Sequence, residues 1–169
     1  MEDSSSRDNA EISAIYTRHA DTVYRIALMI LKNTADAEDV TQTVFIKLMN
    51  APTRFDGNEH VKAWLITVTR NACRDMAKSW WRSKRGDMDG VKESAYSPQD
   101  TDRDIWNRVM GLHEKYKLPV YLYYYEGYDT GEISRILKIN HSTVRTRLRT
   151  ARLKLRQLLE EDWNDAERA

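Results

Sequence analysis

The stretch Gly131–Leu158 reads GEISRILKINHSTVRTRLRTARLKLRQL, and its pattern of apolar and basic residues is typical of two consecutive helices. Its first part predicts a short helix with Ile133, Ile136 and Leu137 on one face. Asn140 is a favourable N-cap for a second helix that starts at His141. In this second helix, apolar residues recur at helical intervals of three and four: Val144, Leu148, Ala151, Leu155 and Leu158. Two helices joined by a short turn, the second of them basic, predict a helix-turn-helix.

The second helix carries only positive charge on its other faces. Residues 138–158 contain seven basic residues and no acidic one. An ordinary surface helix of a bundle usually mixes Asp and Glu among its cations, whereas a purely cationic face repels itself unless a polyanion is near. The charge therefore favours nucleic-acid binding over a solvated bundle helix.

The outer face of this helix supplies the candidate DNA contacts. Ser142, Arg145, Thr146 and Arg149 share the face opposite the apolar stripe, and Thr143 stands beside them near the helix start. Arginine can pair with guanine in the major groove, and the hydroxyl groups can reach either a base or a phosphate.

Charge is distributed unevenly along the 169 residues, although the net charge is only +1. A second basic block spans residues 61–86, and an acidic stretch at 87–106 separates it from the helix-turn-helix. Two separate basic blocks predict two separate contacts with polyanions.

Several classes of function lack the residues they need. Cys73 is the only cysteine, so no intramolecular disulfide can form, and a reducing cytoplasm fits. The four histidines are far apart with no paired cysteines, and there is no Gly-rich phosphate loop, so we expect no metal and no cofactor. The polar, acidic N-terminus argues against a secretory signal. No apolar run approaches the ~20 residues that span a bilayer, so we expect no membrane insertion.

The first half of the chain predicts three helices. The first ends at Asn33-Thr34, and Thr34 or Asp36 is expected to cap the second, which Pro52 stops. The third starts near Glu59.

The third helix carries a row of cations on one side, at intervals of four: Arg70, Arg74, Lys78 and Arg82. A cationic row with aromatic residues close by suits a single-stranded nucleic acid, because cations meet phosphates while rings stack on unpaired bases. Trp64 lies on the apolar stripe, so a core position is favoured for it. For Trp80 and Trp81, packing on a neighbouring helix and stacking on bases both remain open.

The second half of the chain adds a linker and four helices. Residues 86–101 are acidic and rich in Gly, Ser and Pro, which is typical of a flexible linker. Pro119 is expected in the first turn of a helix that Gly127 closes. The tyrosines within 121–125 are interpreted as core and interface rather than as a base-stacking platform.

No strand pattern competes, and the prediction is an all-α fold. A three-to-four-helix domain spans residues 10–85. A linker at 86–101 connects it to a four-helix domain at 102–160, and an acidic tail follows at 161–169.

Three stretches of the chain together resemble the two-domain bacterial sigma factors of the extracytoplasmic-function (ECF) group. They are DAEDVTQTVFIKLM from Asp36, RFDGNEHVKAWLITVTRNACRDMAKSWWR from Arg54, and LHEKYKLPVYLYYYEGYDTGEISRILKINHSTVRTRLRTARLKL from Leu112. They follow the family's order and spacing over most of residues 10–160. The helix-turn-helix alone is weakly specific, whereas the three stretches together are strongly so.

The resemblance implies a sigma2 domain, a sigma4 domain and a role for each surface. The second helix resembles the surface that docks on the beta-prime clamp of RNA polymerase, with Asp39, Gln42, Thr43 and Phe45 as contacts. Thr43 stands where the family commonly has Glu. The loop and third helix resemble the part that melts the −10 promoter element, with these candidate contacts: Phe55, Asp56, Asn58, Arg70, Asn71, Arg74 and Lys78.

The helix-turn-helix resembles the family's reader of the −35 element, and the family usually has Gly where Lys138 stands. The implied partners are core polymerase, through its beta-prime clamp and beta flap, promoter DNA in duplex and melted form, and an anti-sigma factor.

Two other functions compete with that of a sigma factor. A stand-alone helix-turn-helix regulator needs neither the second basic block nor the clamp-like helix. An enzyme acting on nucleic acid needs paired carboxylates, a metal cluster or an activated nucleophile, and Asp75 is the only acid in residues 61–86. We therefore expect a protein without catalytic residues.

Overall fold

The structure, a computed structural model, describes residues 9–83 and 100–168. In these ranges it is all-α and contains no strand, which confirms the predicted fold class. Its helices are α1 (Asn9–Leu31), α2 (Thr34–Asn50), α3 (Asn58–Ser83), α4 (Asp100–Gly111), α5 (Glu114–Tyr124), α6 (Thr130–Leu137) and α7 (His141–Arg168). The chain divides into two compact units, Met1–Ala95 and Tyr96–Ala169. The predicted linker at 86–101 lies almost entirely outside the described residues.

The N-terminal unit is a bundle in which α1, α2 and α3 pack against one another. Each helix buries one stripe of apolar residues spaced at three and four, as the sequence pattern predicts. The large side chains buried in this bundle include Val23, Ile26, Leu28, Val40, Leu48, Leu65 and Ile66. Cys73 is fully buried in α3, and His19 is buried on α1.

The cap of α2 differs from the expectation. Asn33 is the N-cap, because its side chain accepts a hydrogen bond from the Asp36 backbone N–H at 3.0 Å. Thr34 and Asp36 are already inside the helix, so the prediction that one of them caps it was wrong. The preceding Lys32 has φ 54°, and this left-handed residue ends α1 and turns the chain so that Asn33 reaches the cap position.

In the C-terminal unit, α7 packs on α4, α5 and α6. The predicted stripe of α7 is buried at Val144, Leu148 and Ala151. Toward the C-terminal end of the helix the stripe is less buried, since Leu155 and Leu158 are only half-buried. The backbone of α7 stays helical to Arg168, through most of the stretch that the sequence suggested was an acidic tail.

Pro119 lies inside α5 and not in its first turn, so that expectation was wrong. The helix begins one turn earlier, where His113 is the N-cap and its Nδ1 accepts the Lys115 backbone N–H at 3.3 Å. Proline cannot donate to the carbonyl one turn back. The loss is tolerated because the residues around Pro119 are buried and hold the helix in place: Leu118, Val120, Tyr121 and Leu122.

The turn of the helix-turn-helix depends on one residue in a left-handed conformation. Asp129 and Glu132 form a capping box at the start of α6. The helix ends at Lys138, with φ 52° and ψ 47°, whose backbone N–H bonds to the Ser134 carbonyl. The Ser134 hydroxyl donates to the Ile139 carbonyl at 2.7 Å. This bond holds the turn that leads into α7.

Replacing Lys138 by glycine is expected to stabilise the C-terminal unit by about 0.5–1 kcal/mol, because glycine has no Cβ to oppose a positive φ. Native-state hydrogen exchange of the α6 and α7 amides measures the change. The matched control is Lys47→Gly in the last turn of α2, which should cost the N-terminal unit about 1 kcal/mol. Faster exchange of α6 in Lys138→Gly would contradict the expectation.

Candidate nucleic-acid and polymerase interfaces

The outer face of α7 borders an open cleft of about 450 Å³. Four of the predicted contacts line this cleft, namely Ser142, Arg145, Thr146 and Arg149. Each of the four is exposed, because the buried stripe of α7 turns the opposite face outward. Thr143 is half-buried and is not among the residues that line the cleft.

Four further residues line this cleft that the sequence did not single out as contacts: Tyr123, Thr130, Leu148 and Arg152. Tyr123 comes from α5 and is 37% exposed, with its ring edge-on to Tyr124 at 4.9 Å. Thr130 opens α6, and its hydroxyl lies 2.6 Å from Nε2 of His141 at the start of α7. Only the fold brings these residues together, since the cleft draws on three helices.

The tyrosine run splits between core and surface. Tyr121 is buried, stacks on Tyr125 at 5.5 Å and donates its hydroxyl to Glu126 at 2.7 Å. Tyr123 and Tyr124 are exposed. Helical geometry explains the split, since neighbouring residues lie about 100° apart around the axis.

The cations beside the cleft are not neutralised by acids of the described chain. Arg145, Arg149 and Arg152 form no ion pair among the described residues. Arg156, farther along α7, bonds to Glu160 at 2.8 Å. Solvated guanidinium groups on one face remain available for phosphate oxygens or guanine.

The second candidate DNA surface lies on α3. Asn71, Arg74 and Lys78 are exposed at intervals of three and four, so they share one face of the helix. Arg70 is half-buried on a neighbouring face. The face is cationic, apart from the exposed carboxylate of Asp75 beside it.

The loop before α3 presents an aromatic cluster. Phe55 is half-buried, with edge contacts to His60 at 5.3 Å and to Trp64 at 5.4 Å. The sequence favoured a core position for Trp64, and in the structure this residue is half-buried at the margin of the core. Asp56 is exposed, and its backbone N–H donates to Nδ1 of His60 at 3.0 Å.

Asn58, another predicted DNA contact, is already bonded to α1. Its Oδ1 accepts from the Arg18 guanidinium at 3.0 Å and lies 2.8 Å from Nε2 of His19. An amide oxygen can only accept, so His19 is the donor in the second bond. Asn58 therefore anchors the loop to α1. The bonded residues are about forty positions apart in the chain, so the local sequence around Asn58 does not predict these bonds.

The predicted polymerase contacts on α2 separate into exposed and buried residues. Asp39, Gln42 and Thr43 are exposed on one face. Phe45 is only 6% exposed and packs edge-on against the Tyr16 ring at 4.7 Å, so it supports this surface from within. Apolar side chains that the sequence did not select extend the exposed surface: Ile46 (57% exposed), Met49 (48%) and Tyr16 (51%).

Among the described residues, no group of His, Cys, Asp and Glu side chains could hold a metal ion. In the same part of the chain, no helix is long and apolar enough to cross a membrane.

Two known families match most of the chain. Residues 15–84 match the family described as sigma-70 region 2, and residues 102–155 match sigma-70, region 4. The chain is 28% identical over 163 residues to the ECF RNA polymerase sigma factor SigL of Mycobacterium tuberculosis, with 90% of each chain covered. It is 27% identical over 163 residues to the RNA polymerase sigma factor CarQ of Myxococcus xanthus, covering 92% of this chain and 94% of CarQ. The fold is similar to that of the sigma factor RpoE from Bartonella quintana, solved in complex with the anti-sigma factor NepR. The TM-score is 0.75 at 19% identity, over 89% of this chain and 97% of RpoE.

Asn58→Ala is expected to lower the free energy of unfolding by about 1–3 kcal/mol, because the buried His19 loses its acceptor. Chemical denaturation measures the loss. Asn50→Ala is the matched control: the Asn50 amide donates to the Ile46 carbonyl on the exposed side of α2, so we expect a change within about 0.5 kcal/mol. Equal losses in the two variants would argue against an anchoring role for Asn58.

Proposed function

The chain belongs to the sigma-70 family of RNA polymerase sigma factors, in its ECF group, and from this premise we propose how its surfaces divide the work. The N-terminal unit docks on core polymerase and opens the −10 element, and the C-terminal unit reads the −35 element. One observation carries the proposal: each compact unit presents its own exposed cationic helix face, α3 in one and α7 in the other. A promoter with two separated elements needs two such faces.

Docking on core polymerase is assigned to α2. The exposed polar residues Asp39, Gln42 and Thr43 supply directional contacts to the beta-prime clamp, and Ile46 and Met49 add apolar area. Interfaces of this kind obtain most of their affinity from a few apolar and polar anchors at the centre. Phe45 acts indirectly, because it holds α2 against α1 and so fixes the face that α2 presents. The C-terminal unit is assigned to the beta flap.

Opening of the −10 element is assigned to α3 and the loop before it. Melting requires no catalyst, only a surface that binds unstacked bases better than paired ones, since differential affinity shifts the duplex toward its open form. The half-exposed rings of Phe55 and Trp64 can stack on unpaired bases, and Asn71, Arg74 and Lys78 can hold the strand. Asn58 contributes by anchoring the loop through Arg18 and His19 rather than by direct contact.

Reading of the −35 element is assigned to the α7 cleft. Arg145 and Arg149 are the candidates for bidentate contacts with guanine. Ser142 and Thr146 can reach bases or phosphates from the same face. Tyr123 of α5 and Thr130 of α6 also line the cleft, so a DNA backbone that enters it would meet a ring and a hydroxyl.

Two further assignments follow from the family. The RpoE neighbour was solved with an anti-sigma factor, and we propose that this chain is also held inactive by one that covers its DNA-binding faces. Core polymerase is cytoplasmic, so we place the action of this chain there. Its work is binding and duplex opening, without catalysis of its own.

Transcription in vitro with core polymerase and mapped start sites tests the proposal. We expect initiation only when the chain and core are both present. A gel shift with the chain alone on duplex promoter DNA separates the alternative, since a stand-alone helix-turn-helix regulator binds tightly without polymerase. Tight binding alone, with no dependence of transcription on the chain, would favour the regulator.

Asp39→Ala and Gln42→Ala are each expected to weaken binding to core polymerase about tenfold, or ~1.4 kcal/mol. Competition for core against a second sigma factor measures this, and thermal melts verify folding. Glu38→Ala is the control, because it removes the same charge as Asp39→Ala from a residue about 100° around the helix. If Glu38→Ala weakens binding as much as Asp39→Ala, net charge rather than the assigned face sets the affinity.

Arg145→Ala and Arg149→Ala are each expected to cost about 1–3 kcal/mol at the −35 element. Transcription from paired promoters that differ only in that element is the measurement. Competition for core should stay unchanged. Arg156→Ala is the control, since this arginine is bonded to Glu160 and does not line the cleft. Unchanged promoter preference in both cleft variants would remove these arginines from recognition.

A further inference from the structure

A pair of tryptophans is exposed at the C-terminal end of α3. Trp80 is 39% exposed and Trp81 is 71% exposed, and the two rings meet edge to face at 5.4 Å. Trp64 lies on the same helix and is half-buried, and its ring contacts Phe55 in the loop before α3. Large exposed apolar groups at the end of a cationic helix are typical of an interaction surface.

Trp81 lies on the same face as the proposed −10 contacts. Asn71, Arg74, Lys78 and Trp81 are separated by three, four and three residues, which keeps them on one side of a helix, and all four are exposed. Arg82 follows, with its Nε donating to the Lys78 carbonyl at 3.4 Å. Three cations against the single carboxylate of Asp75 make this face complementary to a polyanion, not to a neutral protein surface.

We propose that Trp81, supported by Trp80, contacts the sugar–phosphate backbone of duplex DNA that flanks the −10 element. The inference rests on the proposed function and extends its contact face. Ten residues of helix place Trp81 about 15 Å from Asn71. This is four to five base pairs, at about 3.4 Å per base pair.

The duplex is the expected ligand because of where the opening residues lie. Phe55 and Trp64, proposed to hold unpaired bases, are at the other end of α3, about 26 Å from Trp81 along the helix axis. Lys78, the last residue proposed to hold the opened strand, comes three residues before Trp81, so DNA at Trp81 lies beyond the opened segment. An indole ring can pack on a deoxyribose while its N–H donates to a phosphate, which strengthens binding without reading sequence.

Binding of holoenzyme to DNA probes of different length tests the proposal. Three duplex probes carry the −10 element of a mapped promoter. The short probe ends at both edges of the element, and each of the other two extends it by five base pairs on one flank, upstream or downstream. We expect the wild type to gain affinity from one flank only. Trp81→Ala should lose about 5- to 50-fold on that extended probe, the size expected for a lost hydrogen bond to a charged phosphate, and less than twofold on the short probe. Replacing the sequence of the five base pairs should change affinity less than twofold.

Matched variants keep the result interpretable. Trp81→Phe should recover part of the loss, because a ring remains. Ser79→Ala, at an exposed position two residues away on another side of α3, should match the wild type. Thermal melts and competition for core exclude loss of folding or docking.

Other results would overturn the inference. Equal affinity of Trp81→Ala and wild type on every probe would remove Trp81 from DNA binding, and self-association lost in this variant would assign the pair to a protein interface. If the wild type gains affinity from a single-stranded extension rather than from the duplex one, and Trp81→Ala lacks that gain, Trp81 would be assigned to unpaired bases instead of duplex. If wild-type holoenzyme binds none of the probes, the proposed function itself fails.

Discussion

The burial of one face per helix is the constraint on which the rest of the structure depends. In α7, packing of Val144, Leu148 and Ala151 leaves only one orientation for the helix, and Arg145 and Arg149 then point outward. The same rule applies to α3, where burial of Leu65 and Ile66 helps to turn Asn71 toward solvent. A cationic face repels itself, so its geometry is maintained by the apolar core behind it and not by contacts among the cations.

Polar side chains set the connections between these helices. Asn58 bonds to Arg18 and His19, and so ties the loop before α3 to α1. In the C-terminal unit, Ser134 holds the turn after α6, and the hydrogen bond between Thr130 and His141 joins the starts of α6 and α7. These bonds act on segments that carry or flank the proposed DNA contacts. Positioning of the contacts is thus shared between apolar packing and a few side-chain hydrogen bonds between segments.

The sequence predicted the helices well and the helix caps less well, and most of the residues that it named as candidate contacts are exposed. Periodicity locates long helices, but Asn33 and His113 are caps that depend on the backbone of neighbouring turns. Phe45 shows the same limit, because its spacing allowed an exposed position, whereas in the fold it is buried and its ring contacts Tyr16 of α1. Proline rules placed Pro119 in a first turn, whereas the buried residues around it maintain the helix on both sides.

By itself, the sequence determined the all-α fold, the two basic helix faces and the resemblance to ECF sigma factors, since helical periodicity and charge order are properties of one segment at a time. Tertiary structure alone decided which side chains complete each surface. Tyr123 and Thr130 join the α7 cleft, Asn58 becomes an anchor, and Ile46 extends the α2 face. The physical reason is that these roles depend on contacts between residues that are distant in sequence, or on which side of a helix no other helix covers. Local spacing of residues determines neither.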